Sequence, residues 1–208
     1  MLKVFYAGVN GLTADAVLHM LSDYRLGRLE KTARPEARAQ SLAAELLLIR
    51  AVQSVYPETE LPLKITVGEL GKPKLRGIEL EFSLSHSADM VLCAIRDKCV
   101  GADIQLRTVY NAALAERFFT KKEAAAIAQA ADKDLMFTRT WAVKESYLKL
   151  LGTGMHRPLC SFDVKCDNSC FLIDGVPGCS ISVREMGNYT AAVSSLANEI
   201  PEFIEVRL

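Results

Sequence analysis

The chain has 208 residues, half of them hydrophobic, enough to bury a core without disulfide staples. Lysine plus arginine equals aspartate plus glutamate at 25 each, and this formal net charge of zero argues against binding nucleic acid through bulk electrostatics. No apolar run approaches the ~18 residues of a membrane span, and Asn10-Gly11 breaks the amino-terminal apolar run too early for a secretory leader, so a cytoplasmic protein is expected. Residues 2–8 (LKVFYAG) predict a first strand. Residues 13–30 predict one or two helices, with Leu18, Leu21 and Leu29 on the apolar side. Residues 36–55 carry the strongest helical periodicity, through Leu42, Leu46 and Ile49, and Tyr56-Pro57 ends the run. A strand at 63–69 and a Gly/Pro loop at 71–77 lead to apolar runs at 80–87, 90–97 and 98–105. Asp97-Lys98 between the last two suggests a tight hairpin. Helices follow at 111–118, 120–131 and 134–151, the second opened by a Thr120/Glu123 capping-box signature. Strands return near 161–166 and at 170–174, 179–186, 189–195 and 203–208.

This order predicts an α+β chain built of two similarly organised halves, residues 1–99 and 100–208. The patterns "SADMVLCAIRD" and "MGNYTAAVSSLAN" resemble each other as turn, alternating strand and polar stop, which fits either an internal duplication or two strands of like composition. The cysteines at 93, 99, 160, 166, 170 and 179 contain no C-x-x-C pair. The spacing of Cys166, Cys170 and Cys179 lacks a nearby histidine or a second pair, so reduced thiols are expected rather than zinc ligands.

Two stretches carry chemistry. In "VGADIQ" (100–105), strand alternation puts Asp103 and Gln105 on one face and Ala102 and Ile104 on the other. A lone acid there also fits a solvated strand end. In "WAVKES" (141–146), Trp141, Glu145 and Lys149 share a helix face, and Lys144 lies on the adjacent row. A surface salt-bridge ladder is the plain alternative. Together, Asp103 and Glu145 suit Mg²⁺, which takes one or two carboxylates plus substrate phosphates, with lysines offsetting the remaining charge. "SHS" (85–87) ends a strand near Lys72 and Lys74. Ser85 and His86 point to opposite faces there, so a shared proton is disfavoured, and phosphate donors or a plain turn remain.

The motifs "GKPKL" (71–75), "FSLSHS" (82–87), "VGADIQ" (100–105), "RFFTKKE" (117–123) and "WAVKESYLKLLGTG" (141–154) stand in the order and spacing of one family. The chain resembles the large, two-lobed (surfactin-synthetase-activating, Sfp-like) class of 4′-phosphopantetheinyl transferases. That resemblance implies two similar α+β lobes with coenzyme A bound between them. It implies transfer of the phosphopantetheine arm to a serine of an acyl or peptidyl carrier protein, leaving adenosine 3′,5′-bisphosphate. It makes Asp103 and Glu145 Mg²⁺ ligands, with Gln105 as a third through its amide oxygen or a water in its place, and Lys149 a pyrophosphate contact. Glu145 is the expected base, while Lys144 is expected to hold either the phosphate or that base. Ser85, His86 and Lys74 are expected at the coenzyme phosphates, with Arg38 of "RAQSL" and, more weakly, Arg25 and Arg28. Many members place an acid where this chain has Gln105, which implies weaker metal affinity or altered metal preference rather than lost activity. The expected docking surface for an acidic carrier is 106–122, with Arg107, Arg117, Phe118, Phe119, Lys121 and Lys122, unless the phenylalanines are core. A monomer is expected, since two lobes complete one site. The competing possibilities are a non-catalytic coenzyme A or carrier-binding homologue, and a serine hydrolase, which would lack the G-x-S-x-G elbow.

Overall fold

The computed structural model describes residues 1–9, 17–167 and 170–208. The Asn10-Gly11 turn and residues 13–16 of the first expected helix lie outside the described residues. The chain opens with strand β1 (Lys3–Gly8), whose Val4 and Phe5 are buried. Helix α1 (Asp23–Glu30) starts where the Ser22 hydroxyl accepts the Arg25 backbone N–H. Helix α2 (Pro35–Gln53) has proline in its first turn, where a missing N–H costs nothing. A small antiparallel hairpin, β2 (Ile65–Val67) and β3 (Pro73–Leu75), precedes the longer pair β4 (Glu81–Ser87) and β5 (Met90–Arg96).

The second half repeats the plan. Strand β6 (Val100–Leu106) is followed by helices α3 (Ala112–Phe118), α4 (Lys121–Gln129) and α5 (Lys133–Leu151). The capping box forms as expected: Thr120 accepts from the Glu123 N–H, and Glu123 accepts from the Thr120 N–H. A small hairpin follows, β7 (Val164–Asp167) with β8 (Cys170–Ile173), and then the longer pair β9 (Ser180–Met186) and β10 (Tyr189–Ser195).

The two sheets correspond strand for strand. In the first the antiparallel order is β1-β5-β4; in the second it is β6-β10-β9. Each half has a long helix of 19 residues, α2 or α5, against its sheet. The paired patterns "SADMVLCAIRD" and "MGNYTAAVSSLAN" therefore fall on equivalent hairpins, β4-β5 and β9-β10. The two halves pack with their sheets together. Val4, Leu92 and Ala94 meet Val100, Ala102, Ile104, Ala191 and Val193 in a central apolar layer. Two further apolar clusters lie under α2 and α5.

Three details depart from the sequence-based expectation. Residues 71–77 hold a short strand, β3, rather than only a loop, bounded by Gly71 and Gly77 at positive φ. The runs on either side of Asp97-Lys98 do not form a hairpin: β5 pairs with β1 and β4, while β6 pairs with β10 in the other sheet. The last strand, β11 (Glu202–Glu205), lies parallel to β1, so the chain returns from the second half to finish the first sheet. Alternation alone marks a strand but not its partner, and both of the latter departures are of that kind.

Edge strands β4 and β6 meet without a backbone ladder. The β4 serines, all on one face, take its place. Ser83 accepts the Ala102 N–H at 2.9 Å and Ser87 accepts the Leu106 N–H at 2.9 Å. On the other face of β6, α5 comes within backbone distance of Gly101. A Cβ there would stand 2.0 Å from the Ser146 carbonyl oxygen and 2.2 Å from the Leu150 nitrogen. Because both obstacles are helix backbone, Gly101→Ala must displace α5. The variant is expected to lose about 3 kcal/mol of stability or more, read by chemical unfolding, whereas an unchanged midpoint would refute the close approach.

Candidate functional site

Asp103 sits in β6 with its side chain turned from the central apolar layer toward α5, only 2% exposed. A buried carboxylate is costly unless it is hydrogen-bonded or paired. Donors from three elements meet the need. Ser85 of β4 donates to Oδ1 at 2.6 Å, Lys149 of α5 donates to Oδ1 at 2.7 Å, and the Gln105 amide of β6 donates to Oδ2 at 2.8 Å. Glu145 lies one helical turn before Lys149 and is half-buried. Its carboxyl is held above the ordinary glutamate value, first by burial and then by the negative charge of Asp103, with Lys149 opposing. The two carboxylates are therefore close enough to interact electrostatically.

Beside them opens a cleft of about 290 Å³ whose lining includes Tyr24, Arg25, Arg28, Lys72, His86 and Lys149. Arg25 is a fixed part of that wall. Its guanidinium donates to Glu45 at 3.2 Å and to Ser41 at 2.9 Å, and Glu45 also accepts the Ser22 N–H at 3.1 Å. Lys72 reaches the Val100 carbonyl at 3.0 Å, and burial lowers its pKa. Partial burial, followed by the charges of Lys149, Arg25 and Arg28, holds His86 below its ordinary value, against the pull of Asp103. The imidazole is thus neutral near pH 7, in a cleft whose charged lining is cationic. A larger open groove of about 1130 Å³, lined by residues 55–66 and 76–79 with Asp23, holds none of the predicted site residues.

The structure gathers Asp103, Gln105, Glu145, Lys149, Ser85, His86 and Arg28 around this region. Several residues take roles other than those expected. Ser85 is buried and spends its proton on Asp103 rather than facing the cleft. His86 points to the opposite side of β4, so no serine–histidine dyad exists here. Lys74 is 57% exposed and lies 3.9 Å from Glu81; Lys72, two residues earlier, is the lysine in the cleft. Arg38 donates to the Leu29 and Thr32 carbonyls and ties the end of α1 to α2.

Lys144 departs furthest from expectation. Adjacent helix residues are about 100° apart, so Lys144 points away from the Glu145 face. It is 0% exposed and donates to Glu123 and to the Phe162 carbonyl, each at 2.6 Å. Glu123 also accepts the Val164 N–H at 2.6 Å, so this one pair joins α4, α5 and the start of β7. Phe119 is core, and Phe118 stacks edge-on against Trp141. The exposed apolar groups of the expected docking segment are instead Val109 and Leu114.

The sequence ranks Arg25 below Arg38 and points to Lys74 rather than Lys72. Helical spacing held the signal for Arg25: it stands three residues before Arg28, on the same face of α1.

A cleft whose charged lining is cationic suits a polyanionic ligand. A family model described as the 4′-phosphopantetheinyl transferase superfamily matches residues 99–192, the span that contains both carboxylates. The 4′-phosphopantetheinyl transferase Sfp of Bacillus subtilis is 30% identical over 174 residues, covering 79% of this chain and 77% of that protein. A second Bacillus subtilis 4′-phosphopantetheinyl transferase is 27% identical over 202 residues, 93% of this chain and 90% of the relative. HetI of Nostoc, also a 4′-phosphopantetheinyl transferase, is 34% identical over 145 residues, 65% of this chain and 61% of the relative. The chain belongs to the 4′-phosphopantetheinyl transferase superfamily.

The buried position of Lys144 makes a separable prediction. Lys144→Met leaves Glu123 with a buried unpaired charge and is expected to cost about 3 kcal/mol or more of stability. A variant with wild-type unfolding but weakened binding of an anionic ligand would instead put Lys144 in the cleft.

Proposed function

We propose that the cleft is the coenzyme A site of a 4′-phosphopantetheinyl transferase and that Asp103, Glu145 and Lys149 form its reacting centre. The chain transfers the 4′-phosphopantetheine arm from coenzyme A to a serine of an apo acyl or peptidyl carrier protein, giving the holo carrier and adenosine 3′,5′-bisphosphate. The observation that carries the residue assignment is the buried Asp103 carboxylate, bonded to Lys149 and near Glu145 at the edge of a cationic cleft.

In this proposal Arg25, Arg28, Lys72 and His86 hold the coenzyme's phosphates. Lys149, 28% exposed, releases Asp103 in part and turns to the pyrophosphate. Asp103 and Glu145 would hold Mg²⁺, which when bound would offset charge developing on the adenosine bisphosphate leaving group. The carrier serine oxygen bonds to the phosphorus next to pantetheine as the bond from that phosphorus to the bridging oxygen breaks. That oxygen leaves with the adenosine bisphosphate. Glu145 accepts the serine proton, directly or through a water. Val109 and Leu114, with Arg117, Lys121 and Lys122, offer the acidic carrier an apolar and basic surface. A cytoplasmic monomer fits a site completed within one chain. The alternative, a coenzyme-binding homologue without catalysis, is disfavoured by the presence of Asp103, Glu145 and Lys149 together.

Mass spectrometry tests the assignment. With coenzyme A and Mg²⁺, apo carrier should gain the phosphopantetheine mass. Glu145→Ala should slow the gain by about 10²–10⁴-fold while melting like the parent, and Asp103→Ala should slow it as much but also melt lower, because it removes the acceptor of Ser85, Gln105 and Lys149. No mass gain across several carriers would favour the non-catalytic alternative.

His86 supplies a second test. A phosphate beside the ring raises a pKa now held low, so the ring gains a proton at pH values between its free and bound pKa. Calorimetry near pH 6.5 in buffers of different ionisation enthalpy should show more proton uptake for the parent than for His86→Gln. Identical uptake would place His86 away from the phosphates.

A further inference from the structure

Gln105 is more than a missing acid. An ionised carboxylate only accepts hydrogen bonds, so an amide facing it must present its NH₂ group. Gln105 does so, placing Nε2 2.8 Å from Asp103 Oδ2, with Ser85 and Lys149 on Oδ1. Both oxygens of Asp103 are thereby engaged by the chain's own donors. A glutamate at this position has no proton to offer at neutral pH and would leave Oδ2 open. No neighbouring acid restores the lost charge. Thr190, across from Gln105 on β10, gives its hydroxyl proton to Glu185 at 2.7 Å, and Glu185 is also held by Arg139 at 2.7 Å.

We propose that Gln105 guards Asp103 in the free protein and makes divalent-cation binding conditional on coenzyme A. The pyrophosphate supplies the oxygens the protein lacks and gives Lys149 an alternative partner, freeing Oδ1. Gln105 is thus a positioning residue rather than a metal ligand, and its effect is on the order of binding. This rests on the assignment of the cleft as the coenzyme site.

Calorimetric titration of Mn²⁺ into the full chain, free and saturated with coenzyme A, tests the idea. Carrier protein is omitted to prevent turnover, and Mn²⁺ binding to coenzyme A alone is subtracted. The complex should bind Mn²⁺ at least about tenfold more tightly than the free chain, and Gln105→Glu should raise free-chain affinity by about tenfold, since charge count tunes such sites. Gln105→Ala removes the amide without adding charge, so free-chain affinity should rise, and an unchanged affinity would overturn the guarding role. A fall in that variant would make the amide a ligand and overturn the proposal. Equal Mn²⁺ affinity with and without coenzyme A in the parent would overturn it as well. Melting curves check folding, and Gln105→Ala carries the test if the glutamate variant does not fold. Coenzyme A binding without metal is measured first. Its absence defeats the assignment of the cleft, whereas its presence together with tight Mn²⁺ binding to the free chain defeats only the proposed role of Gln105.

Discussion

A carboxylate buried where two sheets meet requires donors, and that requirement orders the centre of this molecule. Asp103 draws Ser85 from the first sheet, Gln105 from its own strand and Lys149 from α5. The Ser85 and Lys149 bonds fix β4 and α5 relative to β6. The strand edges cannot form an ordinary ladder there, so Ser83 and Ser87 satisfy the β6 backbone groups that would otherwise be buried without partners. Gly101 admits α5 to the other face of β6. Removing any one contact loosens the same junction, which makes the geometry around Asp103 a property of both halves together.

The duplicated plan is used unequally. The first half supplies Arg25, Arg28, Lys72 and His86 to the cleft, while the second supplies Lys149 to it and Asp103 and Glu145 beside it. A zero net charge overall thus conceals two local charge groups of opposite sign. Burial maintains the separation. Arg25 is held in place by Glu45, itself 0% exposed, and the Arg25–Glu45 pair ties α1 to α2 as the Lys144–Glu123 pair ties α5 to α4. Breaking either pair would leave a buried charge, a cost of about 3–5 kcal/mol.

Much of this was legible in sequence. Helical spacing placed Trp141, Glu145 and Lys149 on one face, and strand alternation turned Asp103 away from Ala102 and Ile104. Both follow from local geometry, which depends only on the backbone period. The alternation also separated Ser85 from His86. What stayed hidden were choices made by tertiary neighbours. Lys72 and Lys74 are alike in sequence; only the approach of Val100 and Gly152 draws the first inward. Arg38 follows a promising motif, yet the end of α1 offers it carbonyls. Likewise, nothing local shows that β11 returns to β1 or that β5 and β6 enter different sheets.

Lys144 shows why adjacency in a motif is not adjacency in a site. Lys144 and Glu145 face different surroundings on one helix, and each makes the other's task possible. The ion pair with Glu123 and the bond to the Phe162 carbonyl prevent α5 from rotating about its axis. A rotation of α5 would carry Glu145 and Lys149 away from Asp103 together, because both stand on the same helical row. The buried lysine thus acts on the reacting groups through the orientation of the helix. Its own charge faces Glu123 and the Phe162 ring, 4.2 Å from the ring centroid. A helix bearing two opposed constraints can hold the half-buried Glu145 carboxylate in place with no hydrogen-bond partner on it among the described residues.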